Sequence, residues 1–325
     1  MVKHPYGYAA ICQSHPKRRS VVTQPRLGYP SPVDEFAPEE VALRPRDAKF
    51  GWDETPLHWM PGDPYGSHAT TALNLFLPVA ERWFAKLLTE ALDYVRDERL
   101  REQIIGFIGQ EAIHARTHDD VLVEFVRRHG IDPTPFLDQL EWVAGQYDLR
   151  MAQISSPTRR RKALTSGTHA LSAAEHFTGV LGHWALNNEW DSLDVDPMMA
   201  DLMRWHGAEE VEHRHVSYNV AKYFGMDYFA QAAAGLMVSV VFFALVLRGL
   251  KFLVHADPQL PNLGYVRLLW KMRASGKRGS LPTIAYLFRT GSRLLRRDYN
   301  PVDEGSTAQA VAYLASSPAA RVMHG

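Results

Sequence analysis

Six side chains stand at a spacing that suits a pair of metal ions. They are Glu81 in "LPVAERWF", Glu111 and His114 in "IGQEAIHART", Glu175 in "LSAAEHFTG", and Glu210 and His213 in "GAEEVEHRH". On an α-helix an i, i+3 pair lies within about 60° on one face and one turn apart, so Glu111-x-x-His114 and Glu210-x-x-His213 can each direct both side chains at one point. The chain order is Glu, Glu-x-x-His, Glu, Glu-x-x-His. Carboxylate-bridged metal pairs in helical bundles use that set: one Glu from each of two helices and Glu-x-x-His from each of the other two. Carboxylates and imidazoles without thiolate favour two iron ions, with manganese or a mixed manganese–iron pair as alternatives, over structural zinc. A carboxylate facing a core is costly unless paired or metal-bound. Glu81 has Val79, Ala80, Trp83 and Phe84 around it, and Glu175 follows Ala173 and Ala174.

The stretch "WHGAEEVEHRH" also contains a second frame, Glu212-x-x-His215. On a helical wheel His206, Glu210 and His213 share a face, as do Glu111, His114 and His118, whereas Glu212 and His215 point away. His118 and His206 are therefore extra ligands or hydrogen-bond partners of ligands, and Glu209 is a hydrogen-bond partner of a ligand. Glu212 is expected to be solvated, and Asp119 and Asp120 to face solvent near a helix end.

Long helices must carry these residues. Apolar residues recur near a 3.6 period from Thr70, with Pro78 as an expected kink, and again over 99–128, in "RRRKALTSGTHALSAAEHFTGVLGHWALNNE" and in "PMMADLMRWHGAEEVEHRHVSYNVAKYFG". A shorter helix is expected in "PFLDQLEWVAGQYDL". Glu81 and Glu111 lie 30 residues apart and Glu175 and Glu210 lie 35 apart, enough to cross a turn to the middle of an antiparallel partner. The expected fold is all-α: a ferritin-like four-helix bundle with a di-metal core, an irregular N-terminal arm and extra C-terminal helices. The divisions are 1–65 for the extended arm, 66–225 for the core, and 226–325 for an apolar helix and basic helices packed on it.

Within that last part, Tyr228 to Leu247 holds twenty residues without a formal charge, a length that can cross a bilayer. Gln231, Gly235 and Ser239 favour a buried or lipid-facing helix over a spanning one. From Arg248 to Arg297 there are eleven Lys or Arg against one acidic residue, Asp257, which suits an anionic membrane surface or an acidic partner. Over the whole chain of 325 residues Lys plus Arg balances Asp plus Glu at 36 each, so no global field favours nucleic acid. The single cysteine, Cys12, and the lack of a secretory apolar run near the N-terminus lead to an expectation of a cytoplasmic protein at the inner face of the membrane. No G-x-S-x-G, Gly-rich phosphate loop or H-E-x-x-H motif competes with the Glu/His set.

The segments "TPLHWMPGDPYGSHATTALNLFLPVAERWF", "FIGQEAIHARTHDD", "AAEHFTG" and "WHGAEEVEHRHVSYNV" together resemble the bacterial family of predicted metal-dependent hydrolases, over about Pro56 to Tyr299. The resemblance implies a ferritin-like helical protein that binds metal. By similarity to ferritin-like di-iron enzymes, Glu81, Glu111, His114, Glu175, Glu210 and His213 would be its ligands and catalytic residues.

Bundle-core Glu-x-x-His pairs make O2-dependent oxidation of a hydrophobic or lipid-like substrate, by hydroxylation or desaturation, the first functional expectation. Metal-dependent hydrolysis of an ester, amide or phosphoester is the alternative. A non-catalytic iron-binding bundle comes third, because about 100 residues beyond the core are more than a storage subunit needs. The expected partners are the hydrophobic substrate, a membrane surface met through 228–297, an electron-donor protein and a second copy in a homodimer.

Overall fold

The computed structural model describes residues 41–321, and the described chain is all-helical, with no strand among these residues. Cys12 and most of the expected arm lie outside the described residues; 41–63 is irregular chain. Eleven α-helices follow: α1 (Pro64–Ala91), α2 (Glu98–Arg128), α3 (Thr134–Ala152), α4 (Pro157–Asn187), α5 (Pro197–His213), α6 (Val216–Tyr223), α7 (Tyr228–Ala256), α8 (Tyr265–Arg278), α9 (Ile284–Gly291), α10 (Thr307–Leu314) and α11 (Pro318–Arg321).

Helix starts follow from side-chain chemistry. The Asp63 carboxylate accepts from the Gly66 amide at 2.9 Å and Pro64 occupies the first turn, so α1 begins six residues before the apolar period that announces it. Asp97, Asp196 and Asp227 cap α2, α5 and α7 in the same way. Helix α1 runs on through Pro78.

The helix expected across 197–225 is instead two, α5 and α6, divided at Arg214 and His215. The Arg214 guanidinium is buried there and donates to the carbonyls of Pro301 and Val302 and to the Thr307 hydroxyl. The chain after α9 is thereby pinned to the end of the helix that carries the Glu/His motif.

Helix α1 packs along α2, and α4 along α5. At the α4–α5 contact a Cβ on Gly182 would lie 2.3 Å from the Gly207 carbonyl oxygen, so only glycine permits the approach. The larger core joins Trp59, Leu75, Phe125, Phe136, Trp190, Leu202, Trp205 and Leu253. A second core, of Phe84, Leu88, Ile104, Phe107, Leu164, Leu171 and Val220, closes the other end of the same helices. The charged cluster lies within this apolar packing.

Helix α7 packs on α1 and α4 but is not a buried core helix. Phe229, Leu236, Met237, Val240, Val241 and Phe243 are exposed, whereas Leu250, Leu253 and Val254 are fully buried.

Candidate metal centre

Four helices bring Glu and His to one buried place. Glu81 comes from α1, Glu111, His114 and His118 from α2, Glu175 from α4, and His206, Glu209, Glu210 and His213 from α5, and all nine are buried. One potential ligand atom from each of Glu111, His114, Glu210 and His213 lies within 4.8 Å of the others. A neighbouring group of the same tightness contains Glu81, His118 and His206. The two meet where His206 Nε2 lies 2.8 Å from Glu210 Oε1 and 3.8 Å from Glu81 Oε1.

The six residues picked out by spacing are thus brought together as four plus one plus one. Glu81 groups with His118 and His206, two side chains that the wheel had set as ligands or helpers of ligands. Glu175 sits against His213, its Oε2 3.0 Å from Nδ1. His118 Nε2 and His206 Nδ1 are in hydrogen-bond contact.

His114 shows the orientation a metal ligand needs. Its Nδ1 faces Glu111 Oε1 at 3.6 Å and Glu210 Oε1 at 3.5 Å, while Nε2 makes a 2.8 Å hydrogen bond with Glu209 Oε2. A ligating imidazole normally gives its other N–H to a carboxylate, and Glu209 supplies it. Arg46 NH1 in turn donates to Glu209 Oε1 at 2.9 Å and to Glu212 Oε2 at 2.8 Å.

Glu212 corrects the sequence expectation: it is only 1% exposed, held by Arg46 and, at 3.2 Å, by the Gln110 side-chain amide. His215, read as pointing away from the site, is buried too, as is Arg214. Arg46 arrives because 41–46 crosses α2 where it has Gly106 and Gly109, at which a Cβ would lie 2.7 Å from Leu43 Cβ and 2.6 Å from Pro45 Cγ. Asp119 is half-buried and pairs with Arg82; the Asp120 side chain lies outside the described ones.

The electrostatics fit a cation. Burial, then the charge of Glu111, pushes Glu81 well above the usual carboxylate range, and burial with Glu210 does the same to Glu175. Burial and Glu210 hold Glu111 at about 7. Glu210 alone is driven down: burial opposes its charge, but His213, His206 and His114 together prevail. Burial pushes His118 well below its usual value, and lowers His206 as well. Apart from the Glu175 Oε2–His213 Nδ1 contact, both oxygens of Glu81 and Glu111, Oε1 of Glu175, one oxygen of Glu210, Nδ1 of His114 and Nε2 of His213 are buried without a hydrogen-bond partner. So many orphaned acceptors in one apolar site are expensive unless an ion takes them up. The residues fit a carboxylate–imidazole metal centre.

A second cluster went unread in the sequence. Asp257 Oδ2, at the end of α7, lies 2.7 Å from His58 Nε2 and 2.8 Å from His68 Nε2. The three atoms are close enough to share an ion. These two contacts tie irregular chain, α1 and α7 together, while His68 Nδ1 is buried without a hydrogen-bond partner. Only the motif-like density of "LHWMPGDPYGSH" hinted at it, because Asp257 is about 190 residues away from His68 in the chain.

A family model described as "Predicted metal-dependent hydrolase" matches residues 44–305. No curated protein and no solved structure matches.

Proposed function

The chain belongs to the family of predicted metal-dependent hydrolases, and from that premise we propose that the buried Glu/His cluster is the catalytic centre of a hydrolase acting on an ester, amide or phosphoester with a hydrophobic portion. The observation that carries this reading is the convergence of Glu111, His114, Glu210 and His213, all buried and with unpartnered oxygens and nitrogens. These four would hold one ion, and Glu81, His118 and His206 a second, with Glu175 beside His213. Bound divalent ions would supply Lewis acidity, lowering the pKa of a water and polarising a carbonyl or phosphoryl oxygen.

The chain's own residues set up that chemistry. Glu209 accepts the Nε2 proton of His114 and leaves Nδ1 aimed at Glu111 and Glu210. Arg46 fixes Glu209 and Glu212 from outside the cluster, so a second carboxylate close to the centre remains charge-balanced. Phe107, with its ring centroid 4.6 Å from that of His213, and Trp205, 5.3 Å from His114, close the apolar walls and exclude bulk water.

One observation favours a second reading, O2-dependent oxidation: two Glu-x-x-His pairs and two further Glu, on four helices, are the set that holds paired iron in oxygen-using bundles. Metal analysis of protein produced with iron, manganese or zinc, followed by two assays, separates the readings. The proposal expects turnover of acyl esters, amides or phosphoesters that depends on bound metal. Metal-loaded protein that is inert on all of them, but consumes O2 after anaerobic reduction, overturns hydrolysis in favour of oxidation. Bound metal with neither activity leaves a non-catalytic metal-binding protein.

A further inference from the structure

The solvent side of α7 is inverted. Surface helices show polar residues to water and apolar ones to the core. Here the exposed positions Phe229, Ala233, Leu236, Met237, Val240, Val241, Phe243 and Ala244 form an uncharged stripe of about four turns, roughly 22 Å long at 1.5 Å per residue. Phe229 is 72% exposed and Val240 64%. Among the described residues nothing covers this stripe, and it is far longer than the isolated apolar residues ordinary on protein surfaces.

Cations stand at both ends. Near Phe229, the Arg297 guanidinium lies 4.5 Å over the Tyr228 ring, and the 3-10 turn Ser292–Leu295 is fastened to α7 by the Gln231 amide, which donates to the carbonyls of Leu294 and Arg296. At the other end Arg248 is exposed, and Lys251 lies 4.3 Å over the Tyr265 ring at the start of α8. Helix α8 continues the character with Val266, Trp270, Arg273 and Lys277 at i, i+4, i+7 and i+11, all exposed. Between 228 and 297 the only carboxylate is Asp257, which is buried on His58 and His68. Asp227 caps α7 and Asp298 pairs with Arg296, so neither is a free anion at this face.

We propose that this face of α7, with α8 and the Ser292–Leu295 turn, docks on an anionic membrane interface, with α7 lying in the plane of the surface. Charge complementarity selects this occupant. A two-fold dimer through the same face would bring Arg248, Lys251 and Arg297 of each copy toward those of the other, whereas anionic headgroups neutralise them while the stripe enters the acyl boundary. The helix does not span, although it is long and apolar enough by length and composition. Within the uncharged run itself Gln231, Ala234, Gly235 and Val246 are buried on the protein side, and beyond it Leu250 and Val254 are fully buried with Ala69, Leu263 and Leu268. The proposal is independent of which reaction the metal centre performs.

Flotation of the full-length protein with vesicles of phosphatidylcholine, with and without phosphatidylglycerol, tests it. Binding is expected to the anionic vesicles at low salt, at least about tenfold weaker to neutral ones or at high salt. Met237→Glu with Val240→Glu should abolish it, and Arg248→Glu with Lys251→Glu should weaken it about tenfold or more, each with circular dichroism and melting temperature unchanged. Failure of the wild type to float with anionic vesicles overturns the proposal. So does undiminished binding of the folded Met237→Glu, Val240→Glu variant. A wild-type dimer in solution that this variant converts to monomer, without vesicle binding, identifies a second copy as the occupant instead.

Discussion

The Nε2 of His114 lies 2.8 Å from Glu209 Oε2, and the other oxygen of Glu209 accepts from Arg46 at 2.9 Å. The relay fixes the tautomer of His114 and turns Nδ1 inward. Glu209→Ala should therefore lower metal affinity by about 10–100-fold without changing the helical fold, and Glu209→Gln should lose less because it keeps an acceptor oxygen. Metal titration of the three proteins checks this. Equal affinities would show that Glu209 does not orient a ligand.

Glu111→Ala and His213→Ala each remove a side chain from the four-residue group of the cluster. Elemental analysis should find the metal content of each variant reduced, with secondary structure retained. Full metal content in both would remove the cluster from consideration as the metal centre.

Metal uptake should release protons. Burial and Glu210 hold the Glu111 carboxyl at about 7 against an ordinary 4.5, so an incoming cation must displace a proton from it below that pH. Affinity is expected to fall as pH drops below about 7. For the metal-free protein the sign is opposite: between 4.5 and about 7 the folded state binds more protons at Glu111 than the unfolded state, so its contribution to stability declines as pH rises through that window. Calorimetric titration in buffers of different ionisation enthalpy reads the protons directly. No release near pH 6 would refute a protonated Glu111.

Burial, with the charge of Arg293, pushes the His176 imidazole down to about 4 from 6.5. Its ring contacts the Tyr299 hydroxyl at 3.0 Å and the Thr290 carbonyl at 3.0 Å, pinning α9 and the chain after it to α4. The unfolded state takes up a proton first as pH falls, so stability is lost between 6.5 and about 4, by about 3 kcal/mol for a shift of this size. Urea unfolding of wild type and His176→Gln across that range should show the wild-type advantage shrinking by about that amount. Parallel pH profiles would exclude His176 as the cause.

Gly182→Ala places a methyl carbon 2.3 Å from the Gly207 carbonyl oxygen. Backbone cannot yield as a side-chain tip does, so α4 and α5 must separate, at about 3 kcal/mol or more, and Glu175 must move relative to His213. A lower melting temperature together with lower metal content is expected. A variant as stable as wild type would mean the helices are not held at this distance.

The sequence by itself determined that Glu111 and His114, and Glu210 and His213, share a helix face and could serve one metal, because Glu-x-x-His is a local relation fixed by the helical repeat. It also made α7 visible as an uncharged run. What it left undecided depends on contacts between distant segments. Glu212 reads as solvated from its own helix, yet Arg46, 166 residues earlier, buries and neutralises it. Glu81 reads as the equal of Glu175, yet packing sets one with His118 and His206 and the other against His213. Asp257 reads as the lone acid of a basic segment, and only the fold shows it consumed by His58 and His68. Helical periodicity says which face a residue shares with its neighbours, but burial and charge are settled by what packs on that face, and that information lies elsewhere in the chain.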